Sequence, residues 1–432
     1  MSRHFLISIS LVVICCGALA QTPTMLLLSA DSSFKTSDAL VQFSGAGMVG
    51  SNSLDNLFLK KSVFGGHLEN DHLDRIASKL KDQNRAGFLL TSGLDFYNFR
   101  DTLFNHPQWG IHVGISTTYS AALSFSRDLY KTIYRGNAQF AGDTAQLGPL
   151  AAQYQSYQKF GVGIFNKHTL SGVTLSLVAG ENYQSLILSE AGMYTSPLGD
   201  SLALNYAGDY MRSDTTKRGF ANGSGIGLAL DFNVNIPLVD HRGVISIAVN
   251  DVGFVAWNQL SEHYTFDSLT TWTGLQVNDV FELATDTLDL PGLKDSLHYQ
   301  VRKKSFFAPL PASIHVRFSR FFSANSFYEA GLSIWPNRAA VPVIYGSLNH
   351  FLGTHFMVSE RVTFGGYSRG GVGAEIQWMP RGSWLLRVGS NHLEGFVMDK
   401  AHGMDGYFTL AKTFGSASMR EAPETSERTT RE

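Results

Sequence analysis

Residues 225–236 read GIGLALDFNVNI and alternate along their whole length. Ile226, Leu228, Leu230, Phe232, Val234 and Ile236 take one face, and Gly227, Ala229, Asp231, Asn233 and Asn235 the other. A period-2 pattern over this length exceeds the usual soluble strand of about 5–6 residues. It matches the roughly 9–11 residues that cross a bilayer at a tilt. The pattern returns at Phe160, Val162 and Ile164, at Val372 to Met379, and at Trp384, Leu386 and Val388. Further strands are predicted over 39–48, 86–98, 108–117, 170–182, 185–195, 201–210, 243–256, 312–322, 326–337, 340–349, 353–364 and 404–414. Short junctions such as Trp335-Pro336-Asn337 and Met379-Pro380-Arg381-Gly382 separate many of them. These segments predict an all-β fold, a closed antiparallel transmembrane β-barrel of about 14 strands, in a range of roughly 12–16. Closure follows because lipid cannot satisfy an open strand edge. Soluble sandwiches and propellers alternate too, but the long strands, low charge and lack of a repeat period favour the bilayer.

Two regions break this pattern. In 68–82, LENDHLDRIASKLKD, Leu73, Ile76, Ala77 and Leu80 fall on one helical stripe. Asn70 or Asp71 can cap its start, while Lys79 and Lys81 suit its C-terminal end. A short amphipathic helix is predicted near 70–82, resting on the periplasmic end of the barrel or entering its mouth. Residues 257–311 carry acids, then Arg302-Lys303-Lys304, then an aromatic-proline run. They read as one long loop insertion or a small inserted element, with room for a short helix near 275–284. Residues 415–432 are polar and of mixed charge, and a disordered tail is expected there.

Composition sharpens the picture. Charged residues are 16%, against about 25% for a soluble domain, and the chain holds 30 Phe, 16 Tyr and 42 Gly. Mean hydropathy is −0.03, too polar for a bundle of membrane helices. Residues 1–20 have a basic start at Arg3, an apolar run and Ala18-Leu19-Ala20 before Gln21, the pattern of a cleaved signal peptide. Both cysteines lie within that segment, so the barrel is expected to span 21–414 without disulfides. Removing Arg3 takes the net charge from −2 to −3, which offers nothing to nucleic acid.

Chemistry is thin at this level. Gly45-Ala46-Gly47-Met48-Val49-Gly50 spells G-x-G-x-x-G, but no helix follows, and it reads as a glycine-bearing strand end. His350 and His355 flank a turn and read as loop histidines rather than metal ligands. No H-E-x-x-H occurs. Barrels can carry Ser-His hydrolase sites assembled across strands and invisible to spacing, but no pair stands out. A non-enzyme without cofactor or metal is expected. Asp231, Asn233, Asn235, Glu375, Gln377 and Arg387 are the candidate lumen-lining residues.

Leu54-Asp55-Asn56-Leu57-Phe58-Leu59, the helix ending in Asn84-Arg85-Ala86-Gly87-Phe88, the strand Ala248 to Asn258 and the run Phe307 to Val316 carry a resemblance. With them the chain resembles a family of uncharacterised outer-membrane barrels of Bacteroidota. That family is similar at fold level to the fatty-acid-transporter barrels and to the shuttle barrel of the type IX secretion system. The resemblance covers about Thr24 to Phe414 and implies an outer-membrane location, with no activity or catalytic residue to carry over. One departure is that such barrels usually end on the last aromatic of the last strand, whereas residues follow Phe414 here. The expected function is a channel or transporter for small, including hydrophobic, molecules. The alternative is a structural or accessory barrel for protein secretion or envelope assembly. Expected partners are outer-membrane lipid, a small hydrophobic ligand and, under the alternative, secretion or envelope proteins.

Overall fold

The computed structural model describes residues 38–100, 103, 105–216, 223–273, 299–336, 339–380 and 383–415. The expected signal peptide, the short helix near 275–284 and the tail from residue 416 onward lie outside the described residues. In chain order come β1 (Ala39–Ser51), α1 (Asn56–Phe64), α2 (Asn70–Lys79), β2 (Gln83–Asn98), β3 (Trp109–Ser126) and α3 (Arg127–Arg135). Then follow β4 (Thr144–Gln146), β5 (Leu150–Asn166), β6 (Gly172–Thr195), β7 (Ser201–Arg212), β8 (Gly225–Pro237) and β9 (Gly243–Trp257). Next are β10 (Glu262–Thr273), β11 (Tyr299–Lys303), β12 (Phe306–Pro309), β13 (Ser313–Ser323), β14 (Ser326–Ile334) and β15 (Val341–Leu352). The chain continues with β16 (Phe356–Gly366), β17 (Gly370–Trp378), β18 (Trp384–Ser390), α4 (Glu394–Val397) and β19 (Gly403–Phe414).

Fourteen of these strands close a barrel: β1, β2, β3, β5, β6, β8, β9 and then β13 to β19, each antiparallel to the next. The seam joins first to last, from Ala39 opposite Phe414 to Gly50 opposite Gly403, so no strand edge is left for lipid to satisfy. The wall is apolar outside for the reason the alternation gives. Ile226, Leu228, Leu230, Phe232, Val234 and Ile236 are all exposed, while Asn235 is buried and Asp231 half-buried. Phe160, Val162, Leu175, Leu177, Val372, Ile376 and Val388 continue the outward band on neighbouring strands. Such a band is costly in water and fits hydrocarbon.

The 257–311 region is not one loop. It contains β10, β11 and β12, and only 274–298 within it lies outside the described residues. With β6 and β7 these strands raise part of the wall. The first half of β6 pairs with β8, from Gly172 to Gly180, and its second half with β7, from Gln184 to Thr195. β7 pairs along its length with β10, and β10 with β11. Residues 262–271 were unreadable as a strand because both faces are mixed: His263, Thr265 and Asp267 alternate with Tyr264, Phe266 and Ser268. Above a bilayer neither face must be apolar. The segments 170–182 and 185–195, read separately in sequence, are the two halves of β6.

The two ends of the barrel differ. Both terminal strand ends and the short turns 238–242, 324–325 and 353–355 lie at one end. The other end carries α1 to α4 and the raised sheet. Short turns on the periplasmic side and longer excursions outside are the rule for such barrels. The helix predicted near 70–82 is α2, at the end of the barrel away from the termini. β1 runs out to that rim before the chain enters α1. Glu69, rather than Asn70 or Asp71, takes the N-cap position. Leu73, Ile76 and Leu80 of the predicted stripe pack with Leu54, Phe58, Phe125 and Tyr130, so α2 is held by α1, α3 and the end of β3.

Candidate functional site

The lumen has two unlike halves. From β13 to β19 the inward positions are large and charged. Arg361 Nη2 lies 3.4 Å and Arg317 Nη1 3.7 Å from the Glu329 carboxylate, which also accepts from Ser319 Oγ at 3.1 Å. Arg387 Nη2 donates to Glu375 Oε2 at 2.6 Å, and Tyr407 OH donates to the same oxygen at 2.5 Å. The Arg361 and Arg387 guanidinium groups lie over the rings of Tyr345 and Tyr407, 4.9 and 5.4 Å from their centroids. Each tyrosine faces a glycine across the strand pair, Gly331 and Gly389. A Cβ on either would come within 2.4 and 2.6 Å of the ring, so only glycine lets the tyrosine lie over its arginine. Charges this buried require such partners.

From β1 to β9 the inward residues are smaller, and a cavity of about 330 Å³ remains. Lys159 lies 2.8 Å from Asp231 and 2.6 Å from Asp251, and Asp231 also accepts from the Asp251 backbone N–H at 2.6 Å. The bulge between β8 and β9 puts Asp251 at φ +59°, which turns its carboxylate to the cation. His112 stacks on Tyr97 and lies 2.9 Å both from Asp95 and from Thr174. Asn233 donates to Leu170 O at 2.5 Å and Asn235 to Thr169 O at 2.9 Å, tying the turn 167–171 to the wall at the terminal end.

At the far rim the turn between β16 and β17 folds inward. Tyr367 is buried beside Met48, Ala122 and Leu89, and its ring fills the place a side chain at Gly87 would take. Arg85 Nε donates to Gly366 O at 2.8 Å and Arg369 Nε to Asn52 O at 2.7 Å, so the turn is pinned to the start of β2. The loop 391–402 closes over it from the other side, where Asn56 of α1 donates to Gly395 O and Gly403 O at 3.2 and 3.0 Å.

All six predicted residues lie on lumen-facing positions of the strands, as buried or half-buried side chains. Four of them share one void: Asp231, Asn233, Asn235 and Arg387 line the cavity. Glu375 stands behind Arg387 as its ion-pair partner, and Gln377 makes a weak 3.5 Å contact with the Met379 sulfur. Lys159, Asp251, Glu329 and Arg361, which complete both networks, were missed. Lys159 is 72 residues from Asp231 in the chain, a separation that no local pattern bridges. Gly45 to Gly50 run along β1, where the Phe408 ring covers Gly45, so the G-x-G-x-x-G cradles nothing. Among the described residues no group of three or more His, Cys, Asp or Glu could hold a metal ion.

The sequence model of the family of unknown function DUF5723 matches residues 31–382, and the chain belongs to that family. No protein of curated function matches it. Among solved structures, the chain is similar to the TodX deltaS2S3 mutant monoaromatic hydrocarbon channel, at 7% identity over 93% of this chain and 96% of that one, with a TM-score of 0.43. The toluene transporter TodX of Pseudomonas putida gives 8% identity, 88% and 90% coverage and a TM-score of 0.40. The translocator domain of the autotransporter NalP from Neisseria meningitidis gives 8%, 88% and 89%, and 0.31. These are likenesses of one barrel to another and assign no cargo.

Proposed function

We propose that this member of the DUF5723 family is an outer-membrane channel or transporter for a small, partly apolar molecule. The observation that carries this reading is the cavity of about 330 Å³ lined mainly by the β1 to β9 half and bounded across the lumen by Arg317, Trp335 and Arg387. Small-molecule sites run from roughly 300 to 1,000 Å³ and combine apolar walls with a few placed polar groups. Here Tyr97, Phe165 and Trp335 supply walls, and the Lys159–Asp231–Asp251 cluster supplies the polar end. A protein-secretion pore would need room for a peptide chain, and the Arg–Glu networks of the other half occupy that room. The outward apolar band supports the membrane location.

Two measurements test it together. Protein purified in mild detergent is analysed by mass spectrometry for a bound small molecule, and liposomes holding it are assayed for swelling with small neutral solutes. A bound amphiphile, or swelling that Lys159→Met alters, is the expected result. An empty barrel that passes nothing and carries a stoichiometric protein partner would overturn it in favour of an accessory barrel.

A further inference from the structure

Beyond the channel reading, and independent of it, we propose that Ser368, His392 and Asp405 form a serine-hydrolase site for small esters with an apolar acyl group. Ser368 Oγ lies 2.9 Å from His392 Nε2. The other ring nitrogen, Nδ1, lies 3.4 Å from Asp405 Oδ2, an ion-pair contact longer than a formed hydrogen bond. This is the order of groups that nucleophilic acyl transfer uses: hydroxyl, imidazole, and a buried carboxylate at the opposite nitrogen. Such contacts often tighten only when substrate binds.

Three features separate the cluster from an ordinary buried network. First, the carboxylate is held in place by other groups. Asp405 accepts from Ser390 Oγ at 2.8 Å, Asn391 Nδ2 at 2.7 Å and the backbone N–H groups of Asn391 and His392 at 2.7 and 2.9 Å. Second, the hydroxyl sits on a sharp strand-to-strand turn that follows Gly365 and Gly366, at φ +110° and +71°. Third, the pair borders a void. A small cavity of about 30 Å³ is lined by Ser368 and His392 on one side and by Met48, Leu89, Ala340 and Val343 on the other. It shares Leu89, His315 and Trp335 with the lining of the main cavity. Its walls are largely apolar, and it has room for the water that completes turnover.

Three other hydroxyl–imidazole contacts lack one of these elements. His315 meets Ser333 and Ser313 and no carboxylate. His350 meets Ser326 alone. His112 does link Thr174 to Asp95, but Thr174 is a secondary alcohol on a regular strand.

The chemistry balances without a further reagent. Ser368 Oγ attacks the ester carbonyl carbon as its proton passes to His392 Nε2. The ester C–O bond breaks, the departing alcohol takes that proton, and the acyl group stays on Oγ. Water then attacks the acyl carbon and gives a proton to Nε2. The carboxylic acid leaves as Oγ regains the proton. Asp405 touches no substrate and is a positioning residue.

The test is labelling of the full chain, folded in detergent, with an alkyl fluorophosphonate, followed by peptide mass spectrometry and p-nitrophenyl butyrate turnover. Phosphonate on Ser368 is expected. Ser368→Ala should abolish labelling, and turnover should fall by on the order of 10²–10⁴. Asp405→Asn should lower kcat with little change in KM, which a purely structural role would not do selectively. Ser368→Cys keeps the volume and carries the folding control: it should keep the fast mobility of an unheated barrel on a gel and lose phosphonate labelling. No labelling of the wild-type chain, labelling at Thr174 or elsewhere, or turnover unchanged in folded Ser368→Cys would overturn the assignment.

Discussion

From β13 to β19 the lumen-facing positions hold Arg317, Glu329, Arg361, Glu375 and Arg387, which meet one another and fill their half of the barrel. From β1 to β9 the same positions hold Gln42, Ser44, Ser116, Lys159 and Asp231, and about 330 Å³ stays open. The two halves share antiparallel pairing and an apolar exterior. They differ in strand length, at least 13 residues in the first half against at most 12 in the second, and in the size and charge of every second residue. Strand number sets the circumference of such a barrel, and the inward side chains then decide how much of the bore is usable.

Breaking the filled half should have the largest effect. Arg387→Met leaves Glu375 buried beside a lost partner, and removing one member of a buried pair costs about 3–5 kcal/mol. Urea unfolding in detergent, read by gel mobility, measures it; a loss under ~1 kcal/mol would mean that the network does not lock that half. The second comparison sets outside against inside on one strand. Leu230→Arg on the lipid face should cost about 2–4 kcal/mol, and Asn233→Arg on the lumen face much less. Equal losses would show that β8 does not face lipid as described. Third, Ser116→Trp should fill the open half. It should reduce solute permeation while changing stability by less than ~1 kcal/mol, since the indole enters a void and not a packed core. Unaltered liposome swelling would place the path elsewhere.

The smallest expected effect concerns pH at the rim. Burial pulls the His392 imidazole down, but Asp405, with Glu394 adding to it, outweighs this and holds its pKa above the usual 6.5. A raised pKa means that the charged form is favoured by folding. The contribution is fully present below about pH 6.5 and fades as pH rises through the raised value. Thermal unfolding should therefore show wild type and His392→Gln closest at pH 9 and furthest apart at pH 6. A gap that widens with pH would reverse the sign.

Much of the wall was legible because a lipid-facing strand must alternate, and the alternation of 225–236 alone indicates which side of β8 meets lipid. The amphipathic stripe of α2 was legible for the same reason, since one face must be buried. α1 and α3 were not: NLFLKKSVF has apolar residues on all sides, and in RDLYKTIYR only Tyr130 is buried. The strands β10 to β12 also escaped, because outside a bilayer a strand needs no apolar face. Glu375 and Arg387 were chosen as separate lumen residues, and that they pair was not visible. Of the cluster of Ser368, His392 and Asp405, only the serine left a mark, the G-x-S-x-G of Gly366 to Gly370, and it was passed over because it joins two strands rather than a strand and a helix; His392 and Asp405 are ordinary residues near strand ends.

Periodicity, then, determined by itself that this chain is a barrel and which side chains face lipid, because facing depends only on the parity of a residue within its strand. Which inward groups meet was decided only by the tertiary structure. Strand register, the β8–β9 bulge and the inward fold of the 366–369 turn bring together residues far apart in the chain: Lys159 and Asp231 are 72 positions apart, and Arg85 and Gly366 are 281 apart. The energy of a charge pair or a hydroxyl–imidazole contact depends on that distance in space and on the water excluded around it, neither of which is written in the order of the residues.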